Sequence, residues 1–446
     1  MTPSPLSSLA QRSLKTVWHP CTQMQHHDQG VPLLAIKRAQ GAWLYDTDGH
    51  RYLDAISSWW VNLFGHSHPH LVKAITDQAQ QLDHIMLCGL THEPVVQLSE
   101  QLTALSNHHL GHAFYASDGA SAVEIALKLS LHYWRNQGQE HKHRFVSIEQ
   151  AYHGETLGAL AVTDVPLFRE NYGSQLSKQY TAASPDLRQA ASAEEQTQIT
   201  EKALQSLEQI LDSHQDIAAV ILEPLVQCAA GMKMHSPDYL RGVRALCDHY
   251  QVHLILDEIA VGCGRTGTFF ACEQAGIWPD LLCLSKGITG GALPLSVVLS
   301  TSALYHGFYD PDLRRGFLHS HSYTGNPLAC RAALASLQLF QQYPVYELQR
   351  KLGQQIDEGL QALALRSPKM QHLRRTGVIW AFDLDIGQPR YDHLSFARRF
   401  YRSALQYGLM LRPIGNTVYL MPGYLWTEAE AQHLLDGLGH LLKEYA

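Results

Sequence analysis

The chain has 446 residues, 45% hydrophobic and 17% charged, with a formal net charge of −7. That length is too great for one compact core, and the mildly acidic balance gives nucleic acid or an anionic membrane no purchase as a partner. No apolar run reaches the roughly 18 residues of a membrane span, and the N-terminus lacks an apolar signal core, so a cytoplasmic protein is expected. The eight cysteines form no C-x-x-C pair, and the 27 histidines lack partners at zinc spacing, so no metal is expected.

Residues 1–15 read as frayed and lead into WHPCTQM at 18–24. Residues 31–56 alternate as a small antiparallel sheet, with a hairpin turn at 47–50. Next comes SSWWVNLFGH at 57–66, where Trp59 and Trp60 are adjacent. Neighbouring side chains on a strand or helix cannot face one way, so at least one indole reads as a pocket wall. Residues 68–105 read as helical, with a break at 88–90 and Pro94 in a first turn.

A strand at 113–117 runs into Asp118-Gly119-Ala120-Ser121 and then an amphipathic helix. Ser121 and Glu124 read as a capping box. A strand, a small-residue turn and a helix N-terminus make an anion site, because free N–H groups and the helix dipole point outward. A strand at 145–148 precedes Tyr152-His153-Gly154, an aromatic beside a glycine and suited to cover a flat ring. Residues 184–213 read as a loop and a solvated helix.

Three apolar runs then end in charge: 218–222 before Glu223, 253–256 before Asp257, and 280–285 before Lys286. Such runs read as buried parallel strands, whose carboxyl ends are where ligands bind. A lysine and an acid brought together there suit pyridoxal phosphate. The lysine would form a Schiff base with the aldehyde, and the acid would keep the ring nitrogen protonated. The plain alternative is a structural Asp–Lys ion pair. The glycine run GCGRTG at 262–267 fits a dinucleotide fingerprint, which would make the chain a nicotinamide dehydrogenase. Arg265 and Thr266 stand where a phosphate turn wants small residues, and the nearest following strand ends in lysine rather than a ribose-binding acid. After a strand at 293–300, the polar loop FLHSHSYTGNP at 317–327 offers hydroxyl groups to a phosphate. The composition changes near 340, to a long helix and then short strands carrying Arg412 and Tyr419. Arg412, flanked by apolar residues, is a candidate carboxylate clamp.

WHPCTQM, the segment DEIAVGCGRTG at 257–267 with Lys286 after it, and LRPIGNTVYLMPGY at 411–424 together resemble the class-III aminotransferases. The resemblance covers nearly the whole chain. It implies an α/β architecture, the PLP-dependent transferase fold type I. A large mixed-sheet domain would span 76–335, and a small α+β domain would form from both chain ends, 1–75 and 336–446. It also implies pyridoxal phosphate as cofactor and a homodimer with shared active sites. Lys286 would be the Schiff-base lysine and proton carrier, Asp257 the partner of the ring nitrogen, and Tyr152 the residue stacked on the ring. Asp118, Gly119 and Ala120 would hold the phosphate, with Glu223 beside the cofactor. His321 and Ser322 would reach the neighbouring subunit's phosphate. Cys21, Trp59, Trp60, Tyr152, Ser320, Arg412 and Tyr419 would line the substrate channel.

Within the family, the tryptophan pair, the 152–154 turn and Arg412 resemble the branch that moves an amino group from S-adenosylmethionine to 8-amino-7-oxononanoate in biotin biosynthesis. Three positions depart from that branch. Asp118 replaces a serine of the phosphate turn, His319-Ser320-His321-Ser322 replaces His-Gly-Pro-Thr, and Cys21 replaces a substrate-contacting tyrosine. The last leaves lysine open as an alternative donor. A decarboxylase or racemase of the same fold would keep Lys286 and Asp257 with a different clamp.

Overall fold

A computed structural model describes residues 7–28, 30–387 and 393–445. The expected frayed start is instead helical where described: the Ser7 side chain accepts from the Ala10 N–H and caps the helix Ser8–Thr16. Residues 1–6 lie outside the described residues. Strands β1 (Ile36–Gln40), β2 (Trp43–Asp46) and β3 (Arg51–Asp54) then pair antiparallel as expected. The Asp46 carboxylate closes the hairpin by accepting from the N–H groups of Asp48 and His50, at 3.0 and 2.8 Å.

The central sheet is built from β4 (His112–Ala116), β5 (Arg144–Ile148), β6 (Tyr180–Ala182) and β7 (Ile217–Leu222). A small hairpin of β8 (Val226–Gln227) and β9 (Lys233–Met234) intervenes. Then come β10 (His253–Asp257), β11 (Leu281–Leu284) and β12 (Ser296–Ser300). The order is β4-β12-β11-β10-β7-β5-β6, and β12 alone runs against its neighbours. The carboxyl ends of β4, β5, β7, β10 and β11 therefore share one edge. Period-2 alternation divides the strands between two cores. Ile221, Ile255, Cys283 and Val298 face the helix Gly119–Asn136. Leu222, Leu254, Leu282 and Val297 face the helices Ala193–Ser213 and Pro237–His249. The helix expected to be merely solvated thus buries Ala203, Leu207 and Leu211.

Beyond the helices Pro327–Gln342 and Val345–Ala364, β13 (Met370–Thr376) and β14 (Ile379–Leu384) pair antiparallel. The two-residue β15 (Leu409–Met410) lies parallel to β3, so both chain ends enter one sheet. β16 (Thr417–Leu420) pairs with β14. Arg412 was expected on a strand. It lies two residues past the end of β15, just before Pro413, which has no N–H with which to extend a ladder.

Candidate active site

Asp257 ends β10 and is buried. One carboxylate oxygen accepts from the N–H of Ile259 at 3.1 Å, and the other meets Nδ1 of buried His153 at 2.8 Å. Register opposite Asp257 puts Cys283 on β11, and Lys286 follows two residues after that strand ends. Lys286 opens a short 3-10 helix with φ 45°, a left-handed conformation that a lysine adopts at a cost. Burial depresses the Lys286 ammonium below its ordinary value, against the opposing pull of Asp257, Cys228 and Glu223. Nζ lies 5.0 Å from the ring centre of Trp60.

Glu223, just beyond β7, is buried too. Burial pushes its carboxyl up to about 7, with nearby His153 pulling the other way. Its two oxygens accept from the backbone N–H groups of Tyr152 and Cys228, at 3.1 and 2.9 Å, so it holds the turn that carries Tyr152. The Tyr152 hydroxyl donates to Glu155 at 2.8 Å. Gly154 lets this turn approach the next element: at φ 126°, a Cβ there would sit 2.6 Å from the Cβ of Ala120.

Ala120 lies in the first turn of the helix Gly119–Asn136. Asp118 is the N-cap, accepting from the N–H of Ser121 at 3.0 Å and from its hydroxyl at 2.7 Å. The expected Ser121/Glu124 capping box does not form. Glu124 is drawn off across the chain to the Thr156 hydroxyl and the N–H groups of Gly158 and Ala159. The Asp118 charge is thus spent on its own helix, and the N–H groups of Gly119 and Ala120 have no intrahelical acceptor. The first turn contains no acid. His321 Nε2 lies 3.1 Å from the hydroxyl of Ser117, beside this turn in its own chain. Ser320 and Ser322 are exposed.

The tryptophan pair sits on a left-handed turn. Ser57, Ser58, Trp59 and Trp60 have φ values of 50°, 47°, 69° and 76°. Each such residue costs about 1–2 kcal/mol. Asp54 accepts from the N–H and hydroxyl of Ser58, at 2.9 and 2.7 Å, and the Ser57 hydroxyl donates to the carbonyl of Met421 at 2.6 Å. Arg265 is buried and donates to the carbonyls of Trp60, Asn62 and Pro422, at 3.2, 2.8 and 2.7 Å. The glycine run that resembled a dinucleotide fingerprint is therefore a brace for this turn, with no room for a phosphate at Arg265. The turn sends the two indoles apart: Trp60 is 4% exposed and Trp59 46%. Trp59 has the Arg412 guanidinium 5.4 Å from its ring centre, and Arg412 also reaches the carbonyl of Cys21 at 3.5 Å. Tyr419 was expected to line the channel. It is buried edge-on to Trp60, 6.1 Å between ring centres, and backs that wall.

The sequence profile of the class-III aminotransferases matches residues 24–442. The chain belongs to this family. An adenosylmethionine-8-amino-7-oxononanoate aminotransferase from Helicobacter pylori is 43% identical over 444 residues, covering 98% of each chain. The enzyme of that name from Aquifex aeolicus is 38% identical, covering 96% of this chain and 95% of its own. The crystal structure of the Methanocaldococcus jannaschii enzyme superposes with a TM-score of 0.90 at 34% identity, covering 98% of this chain and 99% of its own. A PLP-bound amine transaminase from an uncultivated Pseudomonas species superposes with a TM-score of 0.90 at 30% identity, covering 97% and 99%.

For a class-III aminotransferase, the donor set suits the family's cofactor: a desolvated amine, a buried acid at a strand end, and, on the same sheet edge, a helix whose first turn holds no acid and whose Asp118 cap is engaged by Ser121. The fold brings Lys286, Asp257, Glu223, Tyr152 and Trp60 together at the base, and Cys21, Trp59 and Arg412 at the mouth. The residue-level reading missed His153, whose side chain contacts Asp257 from 104 residues away in sequence, and Glu155, the acceptor of the Tyr152 hydroxyl. The Tyr-His-Gly-Glu run was the available signal for both.

Proposed function

We propose that this chain transfers an amino group from S-adenosylmethionine to 8-amino-7-oxononanoate, with pyridoxal phosphate as cofactor. The observation that carries the reading is the Lys286–Asp257 pair below an exposed indole and guanidinium, in a chain whose full-length relatives carry that activity in their names. Bound there, pyridoxal phosphate supplies an aldehyde that condenses with amines and an electron-poor ring that takes up electron density from Cα. Lys286 Nζ, its charge disfavoured by burial, takes the proton from the donor's Cα. In the second half-reaction it returns one to C7 of the acceptor. Asp257 presents its carboxylate to the ring nitrogen, steadied by His153 and the Ile259 N–H. Tyr152 covers the ring, held by Glu223 from its backbone and Glu155 from its hydroxyl. Gly119 and Ala120 offer backbone N–H groups to the phosphate.

At the mouth, the acceptor's alkyl chain lies along Trp59 and its far carboxylate meets Arg412. The donor's sulfonium gains cation–π attraction from the indoles, about 0.5–2 kcal/mol per contact. A homodimer is part of this reading. Ser320 and Ser322 are exposed on either side of His321, which meets Ser117, and their hydroxyls are the groups this loop would offer to the phosphate and substrate of a second copy. The division into a large domain at 76–335 and a small one from both ends is supported by the β3–β15 pairing.

The donor is tested by the single-turnover rate at which S-adenosylmethionine or lysine, at equal concentration, converts the loaded enzyme's visible cofactor absorbance. S-Adenosylmethionine is expected to react faster. A faster reaction with lysine overturns the donor assignment and leaves aminotransfer itself intact.

A further inference from the structure

We infer that Arg398 forms, with Arg412, a two-guanidinium subsite for the substrate's carboxylate at the mouth of the cleft. The inference rests on the proposed Arg412 clamp and extends it to a residue on a different element. Arg398 lies on the helix His393–Gln406 and is half-buried. Its Nη1 lies 2.7 Å from Nε2 of His26. A guanidinium only donates, so Nε2 accepts and the His26 imidazole is the neutral form. Burial and the Arg398 charge both hold His26 below its ordinary value, in keeping with that state. A neutral imidazole orients Arg398 without cancelling its charge.

Arg412 is placed in the same way. Its contacts are the carbonyl of Cys21 and the face of Trp59, again without a carboxylate. Among the described residues, no acid forms an ion pair with either guanidinium. Glu155, the acid near Cys21, is engaged by the Tyr152 hydroxyl. The helix that carries Arg398 packs against β15, which ends two residues before Arg412. After burial, the positive charge of Arg412 is what lowers Arg398, and the same charge acts on Tyr401, one turn along the helix. One N-terminal stretch touches both, through Cys21 at Arg412 and His26 at Arg398.

Two adjacent guanidiniums without an anion repel each other, and a carboxylate between them relieves that repulsion with charge-assisted hydrogen bonds to both. The consequence is specificity. Lys286 fixes the reacting carbon at the base, and the guanidinium pair fixes the carboxylate at the mouth, so the pair selects acceptors by the chain length between them.

The test titrates nonanoate, a nine-carbon monocarboxylate, and nonan-1-ol, its uncharged counterpart, into the PLP-loaded enzyme, with tryptophan fluorescence as readout. Arg398→Met is expected to weaken nonanoate binding by roughly tenfold or more, to leave nonan-1-ol unchanged, and to flatten the salt dependence. Arg398→Lys, which keeps the charge, is expected to recover part of the loss. Unchanged nonanoate binding in Arg398→Met alongside a loss in Arg412→Met overturns the inference and keeps the single clamp. Unchanged binding in both variants overturns the inference and the clamp together. Equal losses for nonanoate and nonan-1-ol in Arg398→Met also overturn it, because they indicate lost packing rather than lost charge.

Discussion

Lys286→Ala is expected to lower aminotransfer turnover by roughly 10⁴-fold, the upper end of what one positioned proton-transfer group contributes. Among the described residues, Lys286 is the lysine on which the Asp257 carboxylate acts, and burial disfavours its charge. The N–H groups of Gly119 and Ala120, proposed to hold the cofactor's phosphate, are untouched by the change, so the variant should still take up pyridoxal phosphate, with altered visible absorbance. The check is steady-state turnover together with the absorbance spectrum of the purified variant. Turnover within tenfold of the parent would remove Lys286 from the mechanism.

Arg265→Met is expected to destabilise the protein by about 4 kcal/mol, because three buried carbonyls lose their donor at once. Burial already depresses the Arg265 charge below its ordinary value. The position is maintained by what it bonds: it ties the carbonyls of Trp60 and Asn62 to that of Pro422, and so braces a left-handed turn that carries about 1–2 kcal/mol of strain per residue. Loss of the brace should also loosen Trp59 and raise the apparent KM for the acceptor more than it lowers kcat. Urea unfolding followed by tryptophan fluorescence measures the first effect, and steady-state kinetics on the folded variant the second. A loss under 1 kcal/mol with unchanged KM would make the carbonyl contacts incidental.

Both variants bear on residues whose sequence signals differed in kind. Lys286 and Asp257 were legible because an apolar run that ends in charge is physically specific: it needs a buried strand and a reason for the charge at its tip. The strand–turn–helix at 112–136 was legible from its periodicity. The cap was not. Ser121 and Glu124 have capping-box spacing, yet Asp118 caps the helix and Glu124 serves backbone groups more than thirty residues on. Local spacing cannot reveal a tertiary competitor for a carboxylate. The turn at residues 57–60 was hidden for a related reason. It contains no glycine, and its positive φ values are imposed from outside by Asp54, Met421 and Arg265.

Arg265 itself was read only as a poor fit to a phosphate turn, because its three acceptors lie more than 150 residues away in sequence. The loop at 319–322 had no evident role within its own chain as a sequence. The fold gives it one, since His321 meets Ser117.

The central claim is tested most directly by incubating the purified, PLP-loaded protein with S-adenosylmethionine and 8-amino-7-oxononanoate and identifying the product by mass spectrometry. The account predicts 7,8-diaminononanoate, formed over many turnovers and only when both substrates are present. Failure to form it with either S-adenosylmethionine or lysine as donor, by protein that retains its cofactor, would contradict the account.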